Sequence, residues 1–204
     1  IYPRGHKPAC WIYTDRHYGH GYLNVTGAIK KSCNYFFYEL GYRMGIDPVI
    51  KYAKAYGLGV KTGIELSGEA EGIVDLKKQC QDLYGQQWQL GDTLSAVIGQ
   101  SYNDYTPIQI ARYVSMLANG GKSVDVTLIK SITDADGNKI SKDEYEKKIK
   151  EKLGIEDIPE VKDLNIKKEN LDAILKGMKG VTSETGGTAY YVFSDLDIDI
   201  GGKT

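Results

Sequence analysis

A hydroxyl, a thiol and an amide lie side by side in the segment Ser32-Cys33-Asn34. One apolar helical pattern ends just before this segment, near Lys31, and a strongly aromatic one begins just after it, at Tyr35. Serine and asparagine compete with the backbone for hydrogen bonds, so they favour helix ends over helix interiors. The pattern predicts that both polar side chains stand on one short turn between two helices. The same residue types also serve as an ordinary helix cap and a turn residue, so local physics alone does not assign them chemistry.

A second group of chemically useful residues ends the chain at Gly202-Lys203-Thr204. The alternation of apolar and polar residues from Leu196 to Ile200 predicts a strand that leads into this group. Glycine on a strand lets a ligand approach the backbone, and Lys203 and Thr204 can offer a cation and a hydroxyl to a carboxylate. A nucleotide-binding P-loop would need glycine where the chain has Asp197, so we exclude that site. An exposed lysine on an ordinary edge strand has the same local pattern.

Helices are predicted to carry and surround both groups, from apolar residues at helical spacing and from cap residues. The predicted helices are Asn24–Lys31, Tyr35–Met44, one that begins at Asp47-Pro48 and ends at Gly57, one that begins at Thr106-Pro107 and ends at Asn119, and one built on Leu171, Ile174, Leu175 and Met178. The helix after Thr106 is predicted to bury a broad face made of Ile108, Ile110, Ala111, Val114, Met116 and Leu117.

The remaining segments give weaker patterns. Residues 1–22 show no lasting period and predict an irregular segment, and residues 70–90 give little signal. Residues 124–133 predict a strand and residues 136–138 a tight turn. Residues 141–170 are rich in Lys, Glu and Asp, and they predict a solvated helix and loop that form an outward insertion. Without an internal repeat or linker, residues 1–204 are predicted to form one incomplete domain.

The composition excludes several classes of protein. Lysine plus arginine number 26 and aspartate plus glutamate 27, and the resulting net charge of -1 argues against a nucleic-acid binder that relies on bulk charge. No apolar run is long enough for a transmembrane helix. Cys10, Cys33 and Cys80 are too few and too scattered for a disulfide framework or a zinc site, and they are predicted to be small buried side chains. His6, His17 and His20 lack a recognisable ligand spacing, so we expect no metal.

The order of several motifs resembles the transpeptidase domain of class B penicillin-binding proteins. The penicillin-interacting enzymes carry Ser-x-x-Lys, Ser-Asp-Asn and Lys-Thr-Gly. Here the second motif is Ser32-Cys33-Asn34, with Cys as the middle residue, and the third is Lys203-Thr204. Further matches follow in the same order along the chain: His20-Gly21, the loop 62–69, Ile98-Gly99-Gln100, Thr106-Pro107-Ile108-Gln109, Ala118-Asn119-Gly120-Gly121 and Gly187-Thr188-Ala189.

This resemblance implies an α+β fold of the penicillin-binding-protein transpeptidase and serine β-lactamase kind, with mainly its helical side present and a central strand beginning at the end of the chain. It implies a membrane-anchored enzyme on the extracytoplasmic face of a bacterial cell that cross-links peptidoglycan stem peptides ending in D-alanyl-D-alanine, and that β-lactams acylate. Ser32 would relay a proton, Asn34 would bind the substrate amide, and Lys203 and Thr204 would bind the substrate carboxylate. No cofactor is expected, and a glycosyltransferase of cell-wall synthesis is the expected kind of partner.

The first family motif is absent, because no serine in the chain is followed three residues later by lysine. In the family that motif precedes Ser-x-Asn, so we expect it upstream of Ile1 and expect the chain alone to be inactive. Lys61-Thr62-Gly63 spells the third motif in full, but no alternating strand leads into it, and we predict a structural role. Two alternatives remain open: a non-catalytic β-lactam sensor or binding module, and a β-lactamase-type hydrolase on the same fold.

Overall fold

The computed structural model describes residues 8–155, 158 and 160–203. Within these residues the chain forms ten helices and one two-stranded antiparallel sheet. In chain order they are α1 (Trp11–Arg16), α2 (Val25–Lys30), α3 (Asn34–Met44), α4 (Asp47–Ala55), α5 (Leu76–Tyr84), α6 (Leu90–Ala96), α7 (Pro107–Ala118), β1 (Ile132–Thr133), β2 (Lys139–Ile140), α8 (Lys142–Leu153), α9 (Lys168–Ser183) and α10 (Tyr190–Phe193). None of these helices is both long and apolar enough to cross a membrane.

The elements divide into two compact units, and the first comprises residues 8–49, 77–103 and 165–203. Its centre is the packing of α2 on α9 and of α3 on α2 and α6. Gly177 allows α9 to approach α2 closely, because a Cβ at this position would lie 2.9 Å from Cβ of Ile29. The Thr26 hydroxyl then donates to the Ala173 carbonyl at 2.9 Å. These contacts fix the helix that leads into the Ser32 turn.

A small apolar cluster lies in the same unit, between α1 and the turn that joins α2 to α3. It is formed by Cys10, Ile12, Ala28 and Cys33, all buried. Trp11, Leu23, Phe36 and Phe37 pack around it. Residues 1–22 are predicted from the sequence to be irregular; residues 1–7 lie outside the described residues, and α1 forms after them because Trp11 and Ile12 are buried in and against this cluster.

The second unit comprises residues 50–76 and the described part of 104–164. Its central helix is α7, which begins with the predicted Thr106 cap and Pro107. The side-chain amide of Gln109 is fully buried and donates to the carbonyls of Val60 at 2.7 Å and Glu71 at 2.8 Å. It thereby ties the loop after α4 to α7, since a buried amide is tolerated only when it is hydrogen-bonded.

The buried face of α7 differs from the predicted one. Ile110 and Val114 are each 40% exposed, whereas Gln109 and Arg112 are buried. The Arg112 guanidinium donates to the Gly57 carbonyl at 2.6 Å. The prediction is confirmed for Met116 and Leu117, which are buried, and wrong for Ile110 and Val114. Hydropathy ranks polar residues as exposed, whereas the side chains of Gln109 and Arg112 find backbone acceptors inside the unit.

The predicted strand at residues 124–133 is much shorter in the structure. Only Ile132 and Thr133 pair, with Ile140 and Lys139, across the predicted turn. Upstream of the pair, the N–H of Leu128 and the hydroxyl of Thr127 donate to the Glu65 carboxylate, so this stretch is held by a side chain rather than by a strand. The helix predicted within residues 141–170 is present as α8, and its lysines and glutamates form i,i+4 ion pairs.

Candidate active site

Ser32 lies in the turn between α2 and α3, as the sequence predicted. Asn24 caps the start of α2 by accepting from the Gly27 N–H at 2.9 Å. At the other end of α2, the Ser32 N–H donates to the Ile29 carbonyl at 3.1 Å and the Cys33 N–H to the Ala28 carbonyl at 2.9 Å. This pair of bonds is the Schellman motif, in which the residue after the helix adopts the left-handed conformation.

Ser32 is that left-handed residue, with a φ of 47°. Glycine is usual at this position because a Cβ is crowded there, so a serine is held in a conformation that it disfavours. Strained residues of this kind concentrate at functional sites, where the surrounding structure keeps them in place.

Lys203 reaches the same turn from the far end of the sequence. Its Nζ donates to Oγ of Ser32 at 2.8 Å, across 171 positions of the chain. Partial burial of the ammonium group lowers the pKa of Lys203 from its ordinary value. The two candidate groups, which lie at opposite ends of the sequence, therefore form one contact between a hydroxyl and an amine.

The segment before Lys203 is held by the end of α9. The Ile200 carbonyl accepts from the Thr182 hydroxyl at 2.5 Å, and the Gly202 N–H donates to the Met178 carbonyl at 3.0 Å. The strand predicted at Leu196–Ile200 is not formed in the described structure, and the segment is irregular. A strand needs a hydrogen-bonding partner, and here two of the backbone groups pair with the last turns of a helix instead.

The other two predicted site residues are Asn34, which the structure describes, and Thr204, which it does not. Asn34 is the first residue of α3 and is half-buried. Burial raises the pKa of Tyr38, one turn further along α3, and a hydrogen bond with the Asn34 side chain partly offsets that rise. Thr204 lies outside the described residues, so its predicted contact with a substrate carboxylate stays a prediction.

The segment Lys61-Thr62-Gly63, which also spells the third motif, lies in a loop of the second unit. Thr62 is buried, and its N–H and hydroxyl donate to the Glu69 carboxylate at 2.7 Å and 2.6 Å. The N–H of Gly63 donates to the same carboxylate at 3.0 Å. The hydroxyl of Thr62 is thus committed to closing the loop, in agreement with the structural role that the sequence predicted for this copy.

The fold brings Cys10, His20 and Cys33 together. Sγ of Cys10 lies 3.6 Å from Nδ1 of His20 and 3.9 Å from Sγ of Cys33, and all three ligand atoms lie within 4.8 Å of one another. Burial raises the pKa of the Cys33 thiol and lowers that of His20, so both groups favour their neutral forms. Two thiols and an imidazole are donor types that Zn²⁺ accepts. The predicted burial of the cysteines is confirmed, but their spacing in the sequence was no ground for excluding a metal.

Trp11 is the contact residue that sequence reasoning missed. Its indole Nε1 donates to the carbonyls of Lys31 at 3.2 Å and Ser32 at 3.1 Å. The only sequence signal was a tryptophan in a segment rich in glycine, histidine and tyrosine, and this does not predict which backbone it contacts. A buried or half-buried indole N–H usually has a hydrogen-bond partner, and here the partners are the carbonyls of the Ser32 turn.

Comparison with known proteins is consistent with this geometry. Residues 2–204 match the family described as the penicillin binding protein transpeptidase domain. The peptidoglycan D,D-transpeptidase MrdA of Haemophilus influenzae is 32% identical over 187 residues, which are 91% of this chain and 26% of that relative. The chain therefore spans only a minor part of the length of this relative.

Two solved structures share the fold along the whole chain. Pseudomonas aeruginosa PBP2 in complex with WCK 5153 has 29% identity and a TM-score of 0.76, and the match covers 100% of this chain and 42% of that one. Helicobacter pylori PBP2 in a complex with MreC has 28% identity and a TM-score of 0.74, covering 100% of this chain and 33% of that one. The predicted α+β fold, with mainly its helical side present, is confirmed. The chain belongs to the penicillin-binding protein transpeptidase family, among the class B members that its motifs resemble.

Proposed function

We propose that the intact protein is a serine D,D-transpeptidase that cross-links peptidoglycan stem peptides. The observation that carries the proposal is the 2.8 Å contact between Oγ of Ser32 and Nζ of Lys203. In the family these residues belong to the second and third motifs, which lie far apart in the sequence and act on one substrate. Their meeting in this chain is expected of a functional transpeptidase domain.

The proposed reaction proceeds through an acyl-enzyme. A serine of a Ser-x-x-Lys segment, which this sequence does not contain, attacks the carbonyl of the penultimate D-alanine. The peptide C–N bond breaks and the terminal D-alanine leaves with a proton. The amine of a second stem peptide then attacks the ester and releases the serine. β-Lactams resemble the dipeptide and acylate the same serine. No metal or organic cofactor takes part in these steps.

Each residue of the site has a role in that sequence of steps. Ser32 relays the proton between the lysine of the missing motif and the departing or attacking nitrogen, which is general acid–base work. The Lys203 ammonium supplies positive potential for the substrate carboxylate, and it also polarises the Ser32 hydroxyl by donating to it. Asn34 binds the side-chain amide of the substrate, and Thr204 contributes a hydroxyl to the carboxylate.

Partners and location follow from the same proposal. H. pylori PBP2 has been solved in a complex with MreC. That complex supports a place for the intact protein in an assembly for cell-wall synthesis. We place that assembly at the extracytoplasmic face of the bacterial membrane, anchored by a segment outside this sequence. A glycosyltransferase that makes the glycan strands is the partner whose product the transpeptidase would cross-link.

The test is acylation of the intact protein by a fluorescent penicillin. Ser32→Ala removes the proton relay, so the rate of labelling should fall by about 10²–10⁴-fold. Ser115→Ala is the matched control, because Ser115 lies on the exposed face of α7, and its rate should match the wild type. An unchanged rate in Ser32→Ala would remove Ser32 from the mechanism. Rapid turnover of the penicillin instead of a stable adduct would favour a β-lactamase-type hydrolase.

A further inference from the structure

The conformation of Ser32 is one that a serine disfavours, and two hydrogen bonds of its own turn help to hold it. Its φ of 47° lies in the left-handed region, where a side chain is crowded. The two Schellman bonds involve the N–H groups of Ser32 and Cys33, and they leave the carbonyls of Lys31 and Ser32 beyond the helical ladder. A donor that reaches those carbonyls would add to the hydrogen bonds that hold the turn.

The indole of Trp11 supplies that donor. Its Nε1 lies 3.2 Å from the Lys31 oxygen and 3.1 Å from the Ser32 oxygen, so one N–H is shared between both carbonyls. The indole is itself fixed, because it packs on the apolar cluster around Cys10 and meets the His20 ring edge-on with centroids 5.6 Å apart. A fixed donor constrains the peptide plane on each side of the Ser32 side chain.

We propose that Trp11 is a positioning residue for the reaction, acting through Ser32. By holding the carbonyls of the left-handed turn, its N–H keeps the Ser32 hydroxyl directed at Lys203. This inference rests on the proposed function, since it concerns how the same site is kept in its working geometry. It assigns Trp11 no contact with the substrate.

The other tryptophan of the chain gives a matched control. Nε1 of Trp88 donates to the Thr93 hydroxyl at 2.8 Å, so Trp88→Phe also removes one indole hydrogen bond within the same unit. In the intact protein we expect Trp11→Phe to slow acylation by a fluorescent penicillin about 10-fold, the effect of losing one hydrogen bond. Trp88→Phe should leave the rate unchanged. If both variants slow acylation equally, Trp11 has no special connection with the site.

A double-mutant cycle separates positioning from general weakening of the structure. If Trp11 acts through the hydroxyl of Ser32, Trp11→Phe should slow acylation in the wild type but not in a Ser32→Ala background. Equal slowing in both backgrounds would overturn the proposal while leaving the proposed function intact. A wild-type protein that forms no adduct at all would instead overturn the proposed function.

A second substitution keeps the test valid if Trp11→Phe does not fold. Benzothienylalanine at position 11 replaces the indole N–H with sulfur and keeps nearly the same shape, so the packing on Cys10 and His20 is preserved. The same roughly 10-fold loss, confined to proteins that carry Ser32, supports the role of the N–H. Wild-type acylation by this variant would show that ring packing alone holds the turn.

Discussion

At the scale of single residues, Ser32 combines an unfavourable backbone with a favourable contact. The left-handed φ of 47° would suit glycine, and only the side chain explains a serine there, because Oγ accepts from Lys203 at 2.8 Å. Residues that disagree with local preference are often functional, and stability is given up for them. The sequence predicted a polar pair at a turn, but a propensity argument cannot predict the sign of φ.

The strain at Ser32 can be measured by comparing two substitutions that both remove the hydroxyl. Ser32→Gly should be more stable than Ser32→Ala by about 1 kcal/mol, because only alanine keeps the crowded Cβ. Urea unfolding of the intact protein gives this difference, and both variants should acylate slowly. Ser101 also has a positive φ, of 66°, so Ser101→Gly should gain similar stability with unchanged acylation. Equal stability of the two Ser32 variants would contradict the strain.

At the scale of elements, the pair α2 and α9 sets the position of both site residues. The turn after α2 carries Ser32, and the last turns of α9 hold the segment that carries Lys203. The pair is joined by the Thr26 hydrogen bond to the Ala173 carbonyl and by an ion pair between Lys30 and Glu184 at 2.6 Å. The Lys30 ammonium lowers the pKa of the Glu184 carboxyl, so this ion pair weakens only when the pH falls through that lowered value.

Because α2 and α9 pack closely, alanine substitutions at two glycines of α9 should differ in their effect on stability. A Cβ at Gly177 would lie 2.9 Å from the Ile29 Cβ and 3.0 Å from the Thr26 carbonyl, so Gly177→Ala should push α2 away and destabilise by about 1–3 kcal/mol. At Gly180 the nearest atom, 3.2 Å away, belongs to the flexible side chain of Lys30. Gly180→Ala should therefore be neutral or stabilising, since alanine is the better helix former.

Thermal or urea unfolding measures both glycine effects, and acylation provides a second measurement. Because the shift of α2 would carry Ser32 with it, Gly177→Ala should also slow acylation, while Gly180→Ala should not. If the two alanine variants have the same stability and the same rate, α2 and α9 are not packed as closely as described.

At the scale of the whole molecule, the chain holds the second motif of its family and the Lys-Thr of the third. No Ser-x-x-Lys occurs in its sequence, while Ser32 and Lys203 already form their contact within the first unit. The site can thus be assembled by the α2–α9 framework without the nucleophile. We propose that the nucleophile belongs to a different segment of the intact protein from those that carry Ser32 and Lys203.

This separation predicts the behaviour of the 204-residue chain on its own. It should form no stable adduct with a fluorescent penicillin, because none of its serines has a lysine three residues later to activate it. Denaturing gel electrophoresis after labelling measures the adduct, with the intact protein as the positive control and circular dichroism to show that the chain is folded. A labelled band of the short chain would mean that one of its own serines is the nucleophile.

The sequence by itself determined the family, the helices α2, α3, α4, α7, α8 and α9, and the identity of the two groups that meet at the site. Helix ends are local, so Asn24, Thr106 and Pro107 could be recognised as caps, and the order of the motifs along the chain could be compared with the family. The Ser32 turn was predicted for the same reason, since the competition of its side chains with the backbone is a local effect.

Only the tertiary structure decided which distant groups touch. The Ser32–Lys203 contact, the Trp11 hydrogen bonds and the cluster of Cys10 with His20 all join positions on different elements, and no local preference encodes them. Burial of polar side chains and the loss of the predicted strand before Lys203 are likewise tertiary effects, because a buried polar group or a strand depends on the partner that another segment supplies.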